Sequence, residues 1–392
     1  MIWRLFAIPA LMSACALPCV GAYAADDLNF IVGADVSYES NLLARPDFLN
    51  PESDTVTRAY VGLRIDKPYS LQRFQLDVTG NAYRYENFSN LNFNGIDYRA
   101  AWLWNLTPRI NGTLSAMRTE MPTAFDQTVG VVRNVQTDET YLFDIDGQIS
   151  GGWHGLGGVS YQKRDLEAPQ ATAIPSYSAD IWNAGVKYLF PSGNWIRGIQ
   201  RWINGNYENR QPDLTTFTSN GFDGYDSELG ISWAVTASSA VAGRLTYIDR
   251  QDNSFPQRDF SGMTGDVGYR WTPTAKIRFL FSGGRDISAY QTNFASYRVI
   301  DWLSIGENYA ATAKISLRWR FYYANTDYRG PIVAAPALLR NDIDRSGAGG
   351  VEWRPTRTTL LGADLTYRDR SSNDPFATYD NTIVTVRASL TF

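Results

Sequence analysis

Cysteine is almost absent: Cys15 and Cys19 are the 2 in 392 residues. Both lie in the opening "MIWRLFAIPALMSACALPCVGAYAADD". There one base, Arg4, precedes an apolar, small-residue segment, and Ala22-Tyr23-Ala24 fits an A-x-A cleavage pattern. This predicts a secretory signal peptide over residues 1–24 and a mature unit over 25–392. Pro9 and Pro18 interrupt the segment, which is short for a membrane anchor, and Met12-Ser13-Ala14-Cys15 matches a lipobox only loosely. Without residues 1–24 no thiol remains, which excludes disulfides and Cys-based metal sites.

Histidine is as scarce. The single one, His154, stands in "GGWHGLGG". A Ser–His–Asp hydrolase would depend on it, yet its glycine neighbours make it a solvated turn residue. One imidazole without cysteine is too small a ligand set for zinc. The glycines around it follow no strand–helix nucleotide pattern. "DRQDNS" at 249–254 and "DRSSND" at 369–374 read as solvated loop tips rather than Ca²⁺ loops. No catalytic residue, metal ligand or cofactor is expected, and the chain is not expected to be an enzyme.

A one-sided charge is missing too. Lys and Arg number 36 against 40 Asp and Glu, a net charge of −4. Removing residues 1–24 takes away Arg4 and no acid, giving −5. With no polybasic segment, nucleic acid is not an expected partner.

Finally, long apolar runs are missing. Mean hydropathy is −0.29, and no stretch after the leader could be a spanning helix. Yet aromatics make up 14%, with 23 Tyr, 19 Phe and 12 Trp. A transmembrane β-barrel reconciles these values. Only alternate strand residues meet lipid, and aromatic girdles mark both interfaces.

What is present is period two. Phe74, Leu76 and Val78 alternate with Gln75, Asp77 and Thr79. Tyr141, Phe143 and Ile145 alternate with Asp144 and Asp146; Ile315, Leu317, Trp319, Phe321 and Tyr323 alternate with Ser316, Arg318 and Arg320; Val384, Val386, Ala388 and Leu390 alternate with Thr385, Arg387 and Ser389. Successive side chains of a strand face opposite ways, so each segment has an apolar and a polar face. Mixed charges on the polar faces suit a hydrated lumen. Eight short turns and nine longer polar loops can be counted, which predicts an all-β, antiparallel up-and-down barrel of 18 strands. Alternation is poor near 195–209 and 298–310, so 16 is the alternative.

"WAVTASSAVAGRLTYID" from Trp233 and "WRPTRTTLLGADLTYRD" from Trp353 repeat a Trp, a tight turn and Leu-Thr-Tyr. Each reads as one hairpin anchored by Trp at the periplasmic interface and Tyr toward the outer one. The repeat is architectural. The final strand ends on Phe392, the kind of terminal aromatic read by outer-membrane assembly machinery.

The lumen-facing parity collects Arg58, Tyr60, Arg64, Asp77, Tyr83, Arg99, Asp144, Asp146, Arg244, Arg318, Arg320, Tyr322, Asp364 and Arg387. Inward Tyr60, Tyr83 and Tyr322 could stack on sugar rings while the charges hydrogen-bond hydroxyls. The structural alternative is that they fill space and brace charged neighbours.

"VGADVSYESNLLARPD", Val32–Asp47, resembles the first strand and loop of the EpsL-like exopolysaccharide-operon family of outer-membrane β-barrels. The matching residues are Gly33, Tyr38, Glu39, Ser40, Asn41, Leu42 and Leu43; Glu39 replaces the family's Asp, and Leu43 its Phe. Hairpins such as Trp271-Thr272-Pro273-Thr274 look like the same family's. The resemblance implies a Gram-negative outer-membrane conduit for exopolysaccharide or capsule export, in contact with lipid, the polymer and a periplasmic export partner. The other reading is a general diffusion porin for small solutes, which a large loop folded into the pore would favour.

Overall fold

The computed structural model describes residues 28–392 except 129, 209, 216 and 333–338. The expected signal peptide at 1–24 lies outside the described residues.

The described residues form 18 strands: β1 Leu28–Glu39, β2 Asp54–Tyr69, β3 Gln72–Tyr85, β4 Phe93–Thr107, β5 Ile110–Pro122, β6 Val135–Ser150, β7 Trp153–Leu166, β8 Tyr177–Leu189, β9 Trp195–Tyr207, β10 Gly221–Thr236, β11 Ser239–Asp252, β12 Phe260–Thr274, β13 Ile277–Ala289, β14 Tyr297–Ala310, β15 Ile315–Arg329, β16 Asn341–Trp353, β17 Thr359–Ser372 and β18 Tyr379–Thr391. Each pairs with its chain neighbours, and β1 pairs with both β2 and β18, closing one antiparallel barrel. The stretches of poor alternation are the full strands β9 and β14, so 18 stands over 16. Closure leaves no free strand edge, which a lipid environment demands. Phe392 takes part in it: the Phe30 N–H donates to the Phe392 carbonyl at 2.6 Å, and the reverse bond measures 3.0 Å. The strands have 12 to 16 residues, more than a bilayer requires, so their ends project beyond it.

One end of the barrel carries the short turns, the start of β1 and Phe392; the other carries the long loops. Two short turns lie just beyond a proline that the strand itself includes. β2 continues through Pro68 and turns at Ser70-Leu71, where Ser70 takes φ +55°. β12 continues through Pro273, with a register shift between Trp271 and Thr274. Pro68 stands one pair before the end of β2 and Pro273 in a bulge, positions where a missing N–H need not break a ladder bond.

The alternation has its expected outcome. In β1, Leu28, Phe30, Val32, Val36 and Tyr38 are exposed, and Asn29, Ile31, Gly33, Asp35 and Ser37 turn inward. Trp233, Trp271 and Trp353 point outward near the short-turn end, and Tyr247 and Tyr367 point outward farther up their hairpins. Among the described residues, the buried apolar side chains gather inside the long-loop end. Leu42, Leu43, Tyr83, Tyr85, Leu91 and Phe93 form one cluster, against which Phe125 and Val131 pack. The Ser-Asn-Leu-Leu run after β1 thus has a structural role. Asn41 Nδ2 donates to the carbonyls of Arg45 and Asp380, and Leu42 and Leu43 anchor the first loop.

Candidate functional site: the lumen and its mouth

All the sequence-selected lumen residues have inward parity, but they do not converge on one site. Most of the charged ones form cross-strand ion pairs around the wall. Arg58 donates to Asp35 (3.1 Å) and Asn81 (2.9 and 2.7 Å), and its guanidinium lies 4.7 Å from the Tyr60 ring and 5.8 Å from that of Tyr83. Gly33 makes room for this stack: a Cβ there would stand 2.5 Å from the Tyr60 ring. Arg64 meets Asp77 at 2.5 Å, and Arg99 stands beside Asp77 in the β3–β4 register. Asp144 accepts from the Thr113 N–H at 2.9 Å. Asp146 joins His154, 2.6 Å away, and Lys187. Arg244 pairs with Asp266 at 2.5 Å, and Asp364 takes both Arg318 (2.8 Å) and Arg387. Arg320 and Tyr322 share the inward face of β15. His154 therefore departs from expectation. It is the second residue of β7, and its side chain is only 12% exposed. The turn occupies Gly151-Gly152, and strand parity then aims the imidazole at Asp146.

Two features of the mouth have a placement and partners that the sequence did not supply. One is an apolar slot in the lumen wall between β7 and β14. Tyr177, Ala179, Ile181, Ile203, Tyr207, Phe222 and Ile248 line it, in a volume of about 300 Å³. The Phe222 ring lies 6.4 Å from Tyr177 and 5.3 Å from Tyr207. Arginines border the slot. Arg164 is bonded to Asp138 and lies 5.8 Å from the Tyr177 ring; Arg250 is bonded to Asp226. Arg298 donates to Ser288 Oγ at 3.0 Å and meets no carboxylate among the described residues. Above them, loop residue Arg258 donates to the Phe217 carbonyl at 2.7 Å, and Arg210 to Gln291. Burial pulls both of these guanidiniums below their ordinary pKa. A signal existed. Alternation fails at 195–209 because Ile203 and Tyr207 face the lumen while Trp202 faces out.

The other feature is the loop 123–134 between β5 and β6, which folds inward. Asp126 Oδ2 lies 2.9 Å from Arg370 Nη2 of β17 and takes the Tyr379 hydroxyl of β18 at 3.4 Å. Arg370 Nε donates in turn to Asp344 at 2.7 Å. Both side chains of the tether are 12% exposed. The next residue, Gln127, lines the slot, and Thr128 bridges to Thr172. The loop thus leaves one wall, is tied to β17 and β18, and reaches the slot wall, narrowing the mouth. An apolar or acidic residue in a polar loop reveals nothing about its distant partner, so sequence offered no clue to the tether.

No family model matches the chain, and no curated protein matches it significantly. The resemblance to the exopolysaccharide family therefore gains no support beyond the general barrel-porin fold. Solved structures do match. The outer-membrane protein OpdK of Pseudomonas aeruginosa is 11% identical, with a TM-score of 0.52 over 93% of this chain and 99% of its own; it has also been solved with vanillate. OccK2 (OpdF) of the same organism, solved with glucuronate, is 10% identical, with a TM-score of 0.51 over 93% and 96%. A BenF-like porin of Pseudomonas fluorescens Pf-5 is 10% identical, with a TM-score of 0.50 over 93% and 98%. These likenesses overturn the expected polysaccharide export and leave the polymer and the periplasmic export partner without support. The barrels that share this architecture include a porin and proteins solved with small molecules, and the tethered loop narrows the path a polymer would need. The chain is a closed 18-stranded barrel of the bacterial outer membrane, with lipid against its apolar face.

Proposed function

We propose that the protein is a passive channel that admits small solutes across the outer membrane. The observation that carries this reading is the loop 123–134, held across the mouth by Asp126 and Arg370. A loop so held would obstruct a thick polymer while small solutes pass beside it. Paired charges along the wall offer weak, replaceable hydrogen bonds, and the concentration gradient drives transit.

The slot supports a preference for solutes with an apolar body and one anionic group. Its floor is aliphatic and aromatic, and Arg298 presents a cation without a carboxylate partner. An apolar cleft with a few fixed polar groups is the usual form of a small-molecule site. Vanillate and glucuronate, found with two of the similar barrels, are both small carboxylates.

Swelling of liposomes containing the purified barrel tests the reading. Glycerol, benzoate and benzamide should permeate, benzoate fastest, and long dextrins should not. No swelling with any small solute sinks the channel; equal rates for benzoate and benzamide sink the anion preference alone.

A further inference from the structure

The outward face holds a polar groove that the channel reading does not use. It lies at the long-loop end, where the β4–β5 seam opens. The β3–β4 ladder runs to Tyr83↔Phe93, but the β4–β5 ladder stops at Tyr98↔Arg118. The Glu120 carboxylate fills the gap, accepting from the Ile96 N–H at 2.6 Å. The result is a depression of about 780 Å³ lined by Arg84, Asn94, Glu120, Arg133, Asp165 and Glu167.

Its position relative to lipid follows from its neighbours. Tyr98 and Tyr141 face outward one step toward the membrane, with hydroxyls 3.3 Å apart, and Tyr161 lies beside Tyr141. Such a tyrosine belt marks the level of the headgroups. Farther into the membrane, Trp102, Leu114, Phe143 and Val159 give an exposed apolar strip. The groove therefore opens among outer-leaflet headgroups, directly above acyl chains.

The cations around it are not equivalent. Arg118 pairs with Glu120 and Glu139, and Arg133 with Glu167. Arg84 instead donates to the carbonyls of Tyr83 (2.8 Å) and Phe93 (3.1 Å) and to Asn94 Oδ1 (2.9 Å). These neutral acceptors fix the guanidinium, and no carboxylate among the described residues balances it. We propose that this groove binds the phosphorylated headgroup of an outer-leaflet lipid, with Arg84 as the phosphate anchor. A fixed guanidinium fork matches phosphate oxygens. The source is a lipid rather than free phosphate. Glu120, Asp165 and Glu167 repel a free anion, whereas acyl chains on the Trp102–Phe143 strip hold a lipid phosphate in place.

The test uses the folded full-length protein in detergent and native mass spectrometry. The probes are diphosphorylated lipid A, its dephosphorylated form and inorganic phosphate. Wild type should retain the diphosphorylated lipid roughly tenfold better than the dephosphorylated one, and Arg84→Ala should lose that factor. Arg84→Lys should keep part of it, and Arg345→Ala, on β16, should keep it all. Heat-dependent gel mobility verifies that each variant is folded; Arg84→Gln replaces Arg84→Ala if that barrel does not form. Equal retention of the two lipids, or unchanged retention by folded Arg84→Ala and Arg84→Gln, overturns the proposal. So does inorganic phosphate that displaces the lipid at equal concentration. Failure of this site leaves the channel reading untouched, because swelling reports on the lumen.

Discussion

The two ends of the lumen use the same residue types in different surroundings. At the short-turn end, Arg73 and Asp66 form a bidentate pair with both bonds at 2.7 Å, yet their side chains are 51% and 34% exposed. At the long-loop end, Asp342 accepts from Arg340, Ser372 and Tyr328 and is 1% exposed. Water screens the first pair and allows its partners to separate cheaply; an exposed pair contributes about 0–1 kcal/mol. In the second, loops exclude water, and losing one partner strands a buried charge. Rigidity therefore concentrates at the mouth, where the proposed channel would select its solutes, and the short-turn end is the wetter of the two.

Unfolding from lipid vesicles, followed by tryptophan fluorescence, tests the contrast most severely. Asp342→Ala should cost about 3–5 kcal/mol, and Asp66→Ala about 0–1 kcal/mol. Similar losses would mean that the two ends are equally wet, and the comparison would collapse.

The tether sharpens it functionally. Asp126→Ala leaves Arg370 with Asp344 alone. Losing such a shielded pair should shift the loop from docked to released by on the order of a hundredfold. Single-channel recordings should then show a higher, noisier conductance. Arg64→Ala, which breaks a half-exposed pair near the short-turn end, should leave conductance close to wild type. A silent Asp126→Ala would remove the loop from the permeation path.

These cases also explain what the sequence disclosed. Period two is a local property of a strand, so Phe74–Val78 or Val384–Leu390 reveals both face and fold. The inward set from Arg58 to Arg387 was legible for the same reason. Asp126 and Arg370 are 244 residues apart, and only barrel closure brings them together. The slot was hidden differently. Ile181, Ile203 and Ile248 obey strand geometry but violate the rule that apolar means lipid-facing. In β9 that violation surfaced as poor alternation, which was the slot's one visible trace.

Within the mouth, the slot should separate solutes by charge. Arg298→Ala should slow benzoate entry by about three- to tenfold, the value of one charge-assisted contact, with glycerol unchanged. Phe222→Ala should slow benzoate and benzamide alike, since it removes apolar surface. If Arg298→Ala slows glycerol as much as benzoate, the arginine supports the wall and does not choose the solute.

The smallest effect lies above the mouth, in the loops. Arg133 Nε donates to both Glu167 oxygens at 3.0 Å, although the side chains are 45% and 40% exposed. That hydrogen bond holds the Glu167 carboxyl below its ordinary value of 4.5. A lowered carboxyl pKa adds stability that is complete above that ordinary value and fades as pH falls through the folded one. Water and salt limit it to less than about 1 kcal/mol. Wild type should therefore melt slightly above Glu167→Gln at pH 7, and the two should converge once the pH has fallen below the lowered carboxyl value. A gap that survives acid would trace the loop's stability to shape rather than charge, and the mouth would then differ from the short-turn end in packing alone.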